Sequence, residues 1–135
     1  MHLTRQTDYA LRLLIALARQ QGARVSIAEV AEAQAISRTH LMKVANQLAR
    51  AGFIEAVRGR GGGIRLARPE AVINIGKVVA TMEPGCAMID CTGCRSVQDC
   101  ALPGVLASAK SAFMAHLDGT TLADVLVAPP PRAGQ

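Results

Sequence analysis

Residues 26–52 read SIAEVAEAQAISRTHLMKVANQLARAG, and residues 53–66 continue FIEAVRGRGGGIRL. The fold turns on the punctuation of these two stretches. Ser26 is placed to cap a short helix over 27–33, with Glu29 completing a capping box. A break at Ala35 and Ile36 precedes Ser37, a second cap, after which Leu41, Val44, Leu48 and Ala51 hold a helical stripe until Gly52 stops it. Short helix, tight turn and longer helix make a helix-turn-helix. Residues 53–57 then read as a strand, 58–63 as a glycine-rich turn and 64–66 as the returning strand, closed by Pro69. A lone two-stranded hairpin is marginal in water, so this one must lean on the helices before it. The predicted fold class is mainly α with a small β-hairpin wing, a winged helix-turn-helix.

Working outward, Ala10, Leu13, Leu14, Leu17 and Ala18 follow i, i+3, i+4, i+7, i+8, the buried face of an amphipathic helix from Thr4 to about Gln20, ended by Gly22. On the other side a short helix spans 75–82, stopped by Pro84, and leads into a loop holding all four cysteines. A further helix starts at Leu102, with Pro103 tolerated in its first turn. Its Leu102, Leu106, Ala109, Phe113 and Leu117 alternate spacings of four and three, a stripe able to pair with a copy of itself. Asp118 and Gly119 end it, Thr120 or Thr121 caps a last turn through Leu126, and 128–135, with three successive prolines, reads as a disordered tail. No internal repeat is present. The expected division is a winged helix-turn-helix head, 1–70, a cysteine loop and self-pairing helix, 71–127, and the tail.

The chain has 135 residues, one domain by length. Half are hydrophobic, yet there is one Tyr, two Phe and no Trp, a bias toward helices. No apolar run approaches the roughly 20 residues needed to cross a bilayer, since Arg12 interrupts the first candidate and Arg19 ends it. Polar residues fill 1–8 where a signal peptide needs an apolar stretch, so a soluble, cytoplasmic protein is expected. The net charge of +5 is unevenly placed: residues 1–70 hold 11 Lys and Arg against 5 Asp and Glu, and residues 71–135 hold 4 against 5. The basic excess therefore belongs to the helix-turn-helix half.

A recognition helix meets the major groove through its N-terminal residues, here Ser37, Arg38, Thr39, His40 and Lys43. Arg38 suits a guanine edge, Thr39 a base or phosphate and Lys43 a phosphate, while His40 fits a groove contact or a packing role equally. Arg58, Arg60 and Arg65 set three guanidinium groups on the wing, whose glycines allow close backbone approach and positive φ. Such contacts imply double-stranded operator DNA as the partner. Affinity should then fall with salt by about 0.9 in logarithmic slope per phosphate contacted.

Cys91, Cys94 and Cys100 form C-x2-C-x5-C, with Cys86 five positions earlier. Clustered thiols in a reducing compartment point to soft-metal binding or redox chemistry rather than structural disulfides. Structural zinc and a thiol-disulfide switch are the alternatives to an iron-sulfur cluster. Against zinc, the sequence has no second C-x2-C or H-x3-H pair, and His2, His40 and His116 are remote. Against a thioredoxin-like oxidoreductase built on Cys91 and Cys94, no βαβ pattern surrounds them. An electron carrier would leave the basic helix-turn-helix unexplained. Paired carboxylates and a nucleophile-base set are both absent, so no enzyme is expected.

Several motifs together resemble the IscR/NsrR (Rrf-two) family of bacterial winged-helix regulators over residues 1–127. They are Leu3-Thr-x-x-Thr7-Asp8-Tyr9-Ala-Leu11, Ser37-Arg-x-His40-Leu-Met-Lys43-Val, Asn46-Gln-Leu-x-Arg50-Ala-Gly52, Arg58-Gly-x-x-Gly62-Gly63-Ile-Arg65-Leu66 and the cysteine loop. The likeness is nearest to the NsrR-like, nitric-oxide-sensitive branch. It implies a homodimeric repressor joined through the long C-terminal helix, with three loop cysteines of each chain holding an iron-sulfur cluster, [4Fe-4S] rather than [2Fe-2S]. It also implies a remaining ligand from the partner chain's first helix, at the position of Asp8; the plain alternative for Asp8 is an i,i+4 ion pair with Arg12. IscR-like members carry a histidine three positions after the last cysteine, where this chain has Pro103. The family also places more residues between its first two ligand cysteines than lie between Cys91 and Cys94. The expected set is thus Cys91, Cys94, Cys100 and Asp8, with Cys86 as rival to Cys91. Nitric oxide is the implied signal, cluster loss or nitrosylation releasing DNA; iron, redox or cluster-supply sensing through [2Fe-2S] is the alternative.

Overall fold

The computed structural model describes residues 2–83, 85 and 88–126. Helix α1, Arg5–Ala18, starts at the Thr4 cap, whose side chain accepts the Thr7 N–H. Every residue of its predicted apolar face is buried. Helix α2, Ile27–Gln34, carries the expected Ser26–Glu29 capping box and stops at Ala35, which adopts a left-handed conformation with φ 54°. That turn lets Ile36 drop into the core before Ser37 caps α3, Arg38–Arg50, by accepting the His40 N–H. Leu41, Val44 and Leu48 are buried as expected, but Ala51 is not: it terminates α3 and is exposed. Ala45 takes the place on the buried stripe instead, because the fourth-residue step from Leu41 continues the same face.

Strands β1, Ile54–Val57, and β2, Gly63–Leu66, pair antiparallel with Ile54 opposite Leu66 and Val57 opposite Gly63. The hairpin does lean on the head. Val25, in the α1–α2 connection, exchanges backbone hydrogen bonds with Ile64 at 2.8 and 3.0 Å, and the Arg24 guanidinium donates to the Gly61 carbonyl at 3.3 Å. A Cβ at Gly63 would stand 2.8 Å from the Val25 carbonyl oxygen, so only glycine permits this approach. Ile64 closes the core beneath the wing.

Helix α4, Ile75–Met82, runs over the predicted span and buries Ile75, Val78, Val79 and Met82 against α1. Helix α5, Leu102–Asp118, has 17 residues and not one of them is buried. Its C-terminal part is tied to α4: the Asn74 side chain, at the α4 cap, donates to the Asp118 carbonyl at 2.6 Å, and Gly76 lies where a Cβ would meet the Asp118 backbone nitrogen at 2.8 Å. Thr121, one of the two expected caps, forms a capping box with Asp124 and opens α6, Leu122–Val125, which plugs Leu122 into the core. Among the described residues no helix is long and apolar enough to cross a membrane. Cys86 and the tail expected to be disordered, 128–135, lie outside the described residues.

Candidate nucleic-acid interface and cysteine loop

The amphipathic α3 turns its charged side outward because its apolar residues are committed to α1, α2 and β1. Arg38, Thr39 and Lys43 are exposed on that side, and Arg58 and Arg60 are exposed at the wing tip. Four of these five exposed residues are cationic. The remaining three expected DNA contacts have local duties. Ser37 is the cap of α3. His40 is half-buried, its ring edge-on to Tyr9 of α1 with centroids 4.9 Å apart, which realises the packing role. Arg65 pairs across the hairpin with Glu55, which neutralises its charge and braces the strands.

The cysteine loop leaves α4 at Glu83, and that residue is a junction sequence reading did not single out. Its carboxylate oxygen Oε1 accepts the Thr4 backbone N–H and the Thr7 hydroxyl, each at 2.7 Å. Thr7 is the one buried polar residue among the described residues, with no exposed surface. Its single O–H is committed to the carboxylate, so the Thr4 hydroxyl, 3.1 Å away, is the donor between the two threonines. The start of α1 is thereby clasped to the residue from which the loop departs. One residue beyond Thr7 stands Asp8, and the next is Tyr9, which touches the recognition helix through His40.

Cys91, Cys94 and Cys100 are all unbridged; Cys91 is half-exposed and the other two exposed. The Cys94 N–H donates to the Cys91 carbonyl at 3.1 Å, a tight turn allowed by Gly93 at φ 76°. Asp90 accepts the Thr92 N–H at 2.8 Å, which holds its carboxyl below the ordinary range. Between residues 88–92 and the flank of α5, at Pro103, Leu106 and Met114, lies an open depression of about 850 Å³. Among the described residues no three His, Cys, Asp or Glu side chains come together closely enough to hold a metal ion. Asp8 is half-buried and pairs with Arg12 at 3.0 Å, the local alternative for that residue. The donor chemistry nonetheless fits sulfur-bound iron: three accessible thiols share one short loop, and thiolates are the ligands such centres take.

A helix-turn-helix with an outward cationic recognition helix, buttressed by a two-stranded wing, defines a winged-helix DNA-binding protein. Residues 3–128 match the family described as Rrf2, iron-dependent transcriptional regulator. The chain belongs to that family of DNA-binding transcription regulators, which are not enzymes; the thiol oxidoreductase alternative is thereby set aside. Among solved structures it is similar to T. potens IscR, at 26% identity and TM-score 0.76, covering 93% of this chain and 86% of that one. It is likewise similar to the oxidized form of Staphylococcus aureus CymR, at 26% identity and TM-score 0.73, covering 96% and 99%. The B. subtilis CymR structure, a global cysteine regulator, shares the fold at 21% identity and TM-score 0.72, covering 96% and 99%.

Proposed function

We propose that the chain is a homodimeric transcriptional repressor that senses nitric oxide through an iron-sulfur cluster held by Cys91, Cys94 and Cys100, with Asp8 of the partner subunit completing the ligand set. The observation that carries this reading is the Glu83 clasp. It ties the loop bearing three free thiols to the helix bearing Asp8 and, through Tyr9 and His40, to the recognition helix. The dimer is supported by α5, whose exposed Leu102, Val105 and Phe113 lack a cover in a single chain. When bound, the cluster supplies iron that reacts with nitric oxide. The chain's own residues do the rest. Arg12 pairs with the Asp8 carboxylate on the α1 surface, Glu83 fixes the loop's origin, and Arg38, Thr39, Lys43, Arg58 and Arg60 meet the DNA. Two heads reading one operator must stand about 34 Å apart, one helical turn, so a small rotation of α1 in each subunit suffices to spoil the fit. The match to a family described as iron-dependent supports iron, redox or cluster-supply sensing at the same loop as the second reading.

The test is anaerobic purification with iron, sulfide and absorbance analysis, combined with operator binding before and after nitric oxide. Iron and sulfide in equal amounts and loss of DNA affinity on nitric oxide addition are expected. A colourless protein with one zinc per chain overturns the cluster, and a cluster indifferent to nitric oxide but responsive to iron supply or oxidant selects the second reading. Asp8→Ala should shorten cluster lifetime while changing apo stability by only about 0.3–0.5 kcal/mol, the worth of an exposed i,i+4 pair.

A further inference from the structure

The outer face of α3 carries one large apolar residue, Met42. Along it run Arg38, Thr39, Met42, Lys43 and Asn46, all exposed, while Leu41, Val44, Ala45 and Leu48 turn inward. Met42 is 43% exposed in the middle of this otherwise polar surface and belongs neither to the core cluster nor to the apolar residues packed against it. Single exposed apolar residues are ordinary on protein surfaces; what distinguishes Met42 is its address. Thr39, Met42, Lys43 and Asn46 stand at i, i+3, i+4 and i+7, the spacing by which one face of a groove-bound helix meets successive bases. In the major groove the apolar feature on offer is the thymine 5-methyl group. A methionine, unbranched and polarizable, adapts its three rotatable bonds to such a target.

We propose that Met42 is a specificity-determining residue that packs on a thymine methyl group in each half-site, between the polar contacts of Thr39 and Lys43. The proposal rests on α3 being the groove helix and adds base selection to a surface whose other contacts are mainly cationic. Burial of a methyl-sized group at a contact is worth about fourfold in affinity.

The test uses duplexes selected from a random pool by the full-length protein, with each thymine replaced in turn by uracil, which removes only the methyl group. One thymine per half-site should be found whose replacement weakens binding about fourfold, and Met42→Leu should keep that discrimination. In Met42→Ala the thymine and uracil duplexes should bind equally. If the alanine variant binds too weakly to measure, Met42→Gln, of the same length with a polar end, must lose the discrimination instead. The absence of any uracil-sensitive thymine, or sensitivity undiminished in Met42→Ala and Met42→Gln, overturns the assignment. Arg38→Ala separates the premise from the proposal: unchanged affinity and salt slope in that variant would remove α3 from the groove altogether.

Discussion

Replacing Glu83 by alanine tests the junction between the head and the cysteine loop. The carboxylate accepts, at 2.7 Å each, the exposed Thr4 amide and the wholly buried Thr7 hydroxyl. Water can replace the acceptor for Thr4, so that bond counts for about 0.5–1 kcal/mol, whereas the Thr7 bond joins a buried donor to a charged acceptor and counts for about 1.5–3 kcal/mol. Glu83→Ala should therefore destabilise the fold by roughly 2–4 kcal/mol. Thr7→Val keeps the side chain's shape and removes the hydroxyl, so in that background the Glu83→Ala loss should shrink to about 0.5–1 kcal/mol, a coupling of roughly 1.5–3 kcal/mol in a double-mutant cycle. The assay is urea unfolding of the four proteins at one fixed protein concentration, because association contributes to the measured stability. Additive losses, with no coupling beyond about 0.5 kcal/mol, would refute the claim that these residues act as one clasp.

Three further outcomes follow from the geometry. Arg38→Ala and Arg60→Ala should each lower the logarithmic salt slope of operator binding by about 0.9, read by titration at several salt concentrations, whereas Arg65→Ala, whose charge Glu55 already engages, should change the slope less and hairpin stability more. Gly76→Ala places a Cβ 2.8 Å from the Asp118 backbone nitrogen and should cost about 1–3 kcal/mol in unfolding free energy by driving α4 and α5 apart; relief by Asp118→Ala should be partial, because backbone remains in the way. Asp124 accepts the Thr121 N–H in the α6 capping box and its folded-state pKa lies below the ordinary 3.8, so its contribution is present above that value and lost as pH falls through the lowered one. Asp124→Asn should accordingly flatten the acid limb of a melting-temperature profile recorded from pH 6 to pH 2, and an unchanged limb would count against the box.

Much of the head was legible because its signals are local. Ser26, Glu29 and Ser37 act within three residues of themselves, and the apolar face of α1 follows from one periodicity. Ala51 was misread because a stripe gives no notice of where a helix stops. The Glu55–Arg65 pair was readable in principle: the hairpin register sets the two opposite one another, and opposite charges across a ladder attract. The clasp was not, since Thr4 and Glu83 are 79 residues apart and nothing local announces that they meet. Nor does periodicity reveal that Val25 pairs with Ile64, or that the His40 ring packs edge-on to Tyr9. The cysteine spacing names the donor chemistry, but the arrangement of donors depends on loop geometry and, in the proposed site, on a second subunit.

The long helix, none of whose residues is fully buried, has a consequence under the proposed pairing at the level of the cell. If its apolar side is satisfied only by an identical helix, competent repressor forms by a second-order encounter. Where unpaired chains predominate, halving the copy number leaves a quarter of the operator-competent pairs, so promoter output responds steeply to dilution at division and to any change in the repressor's own synthesis.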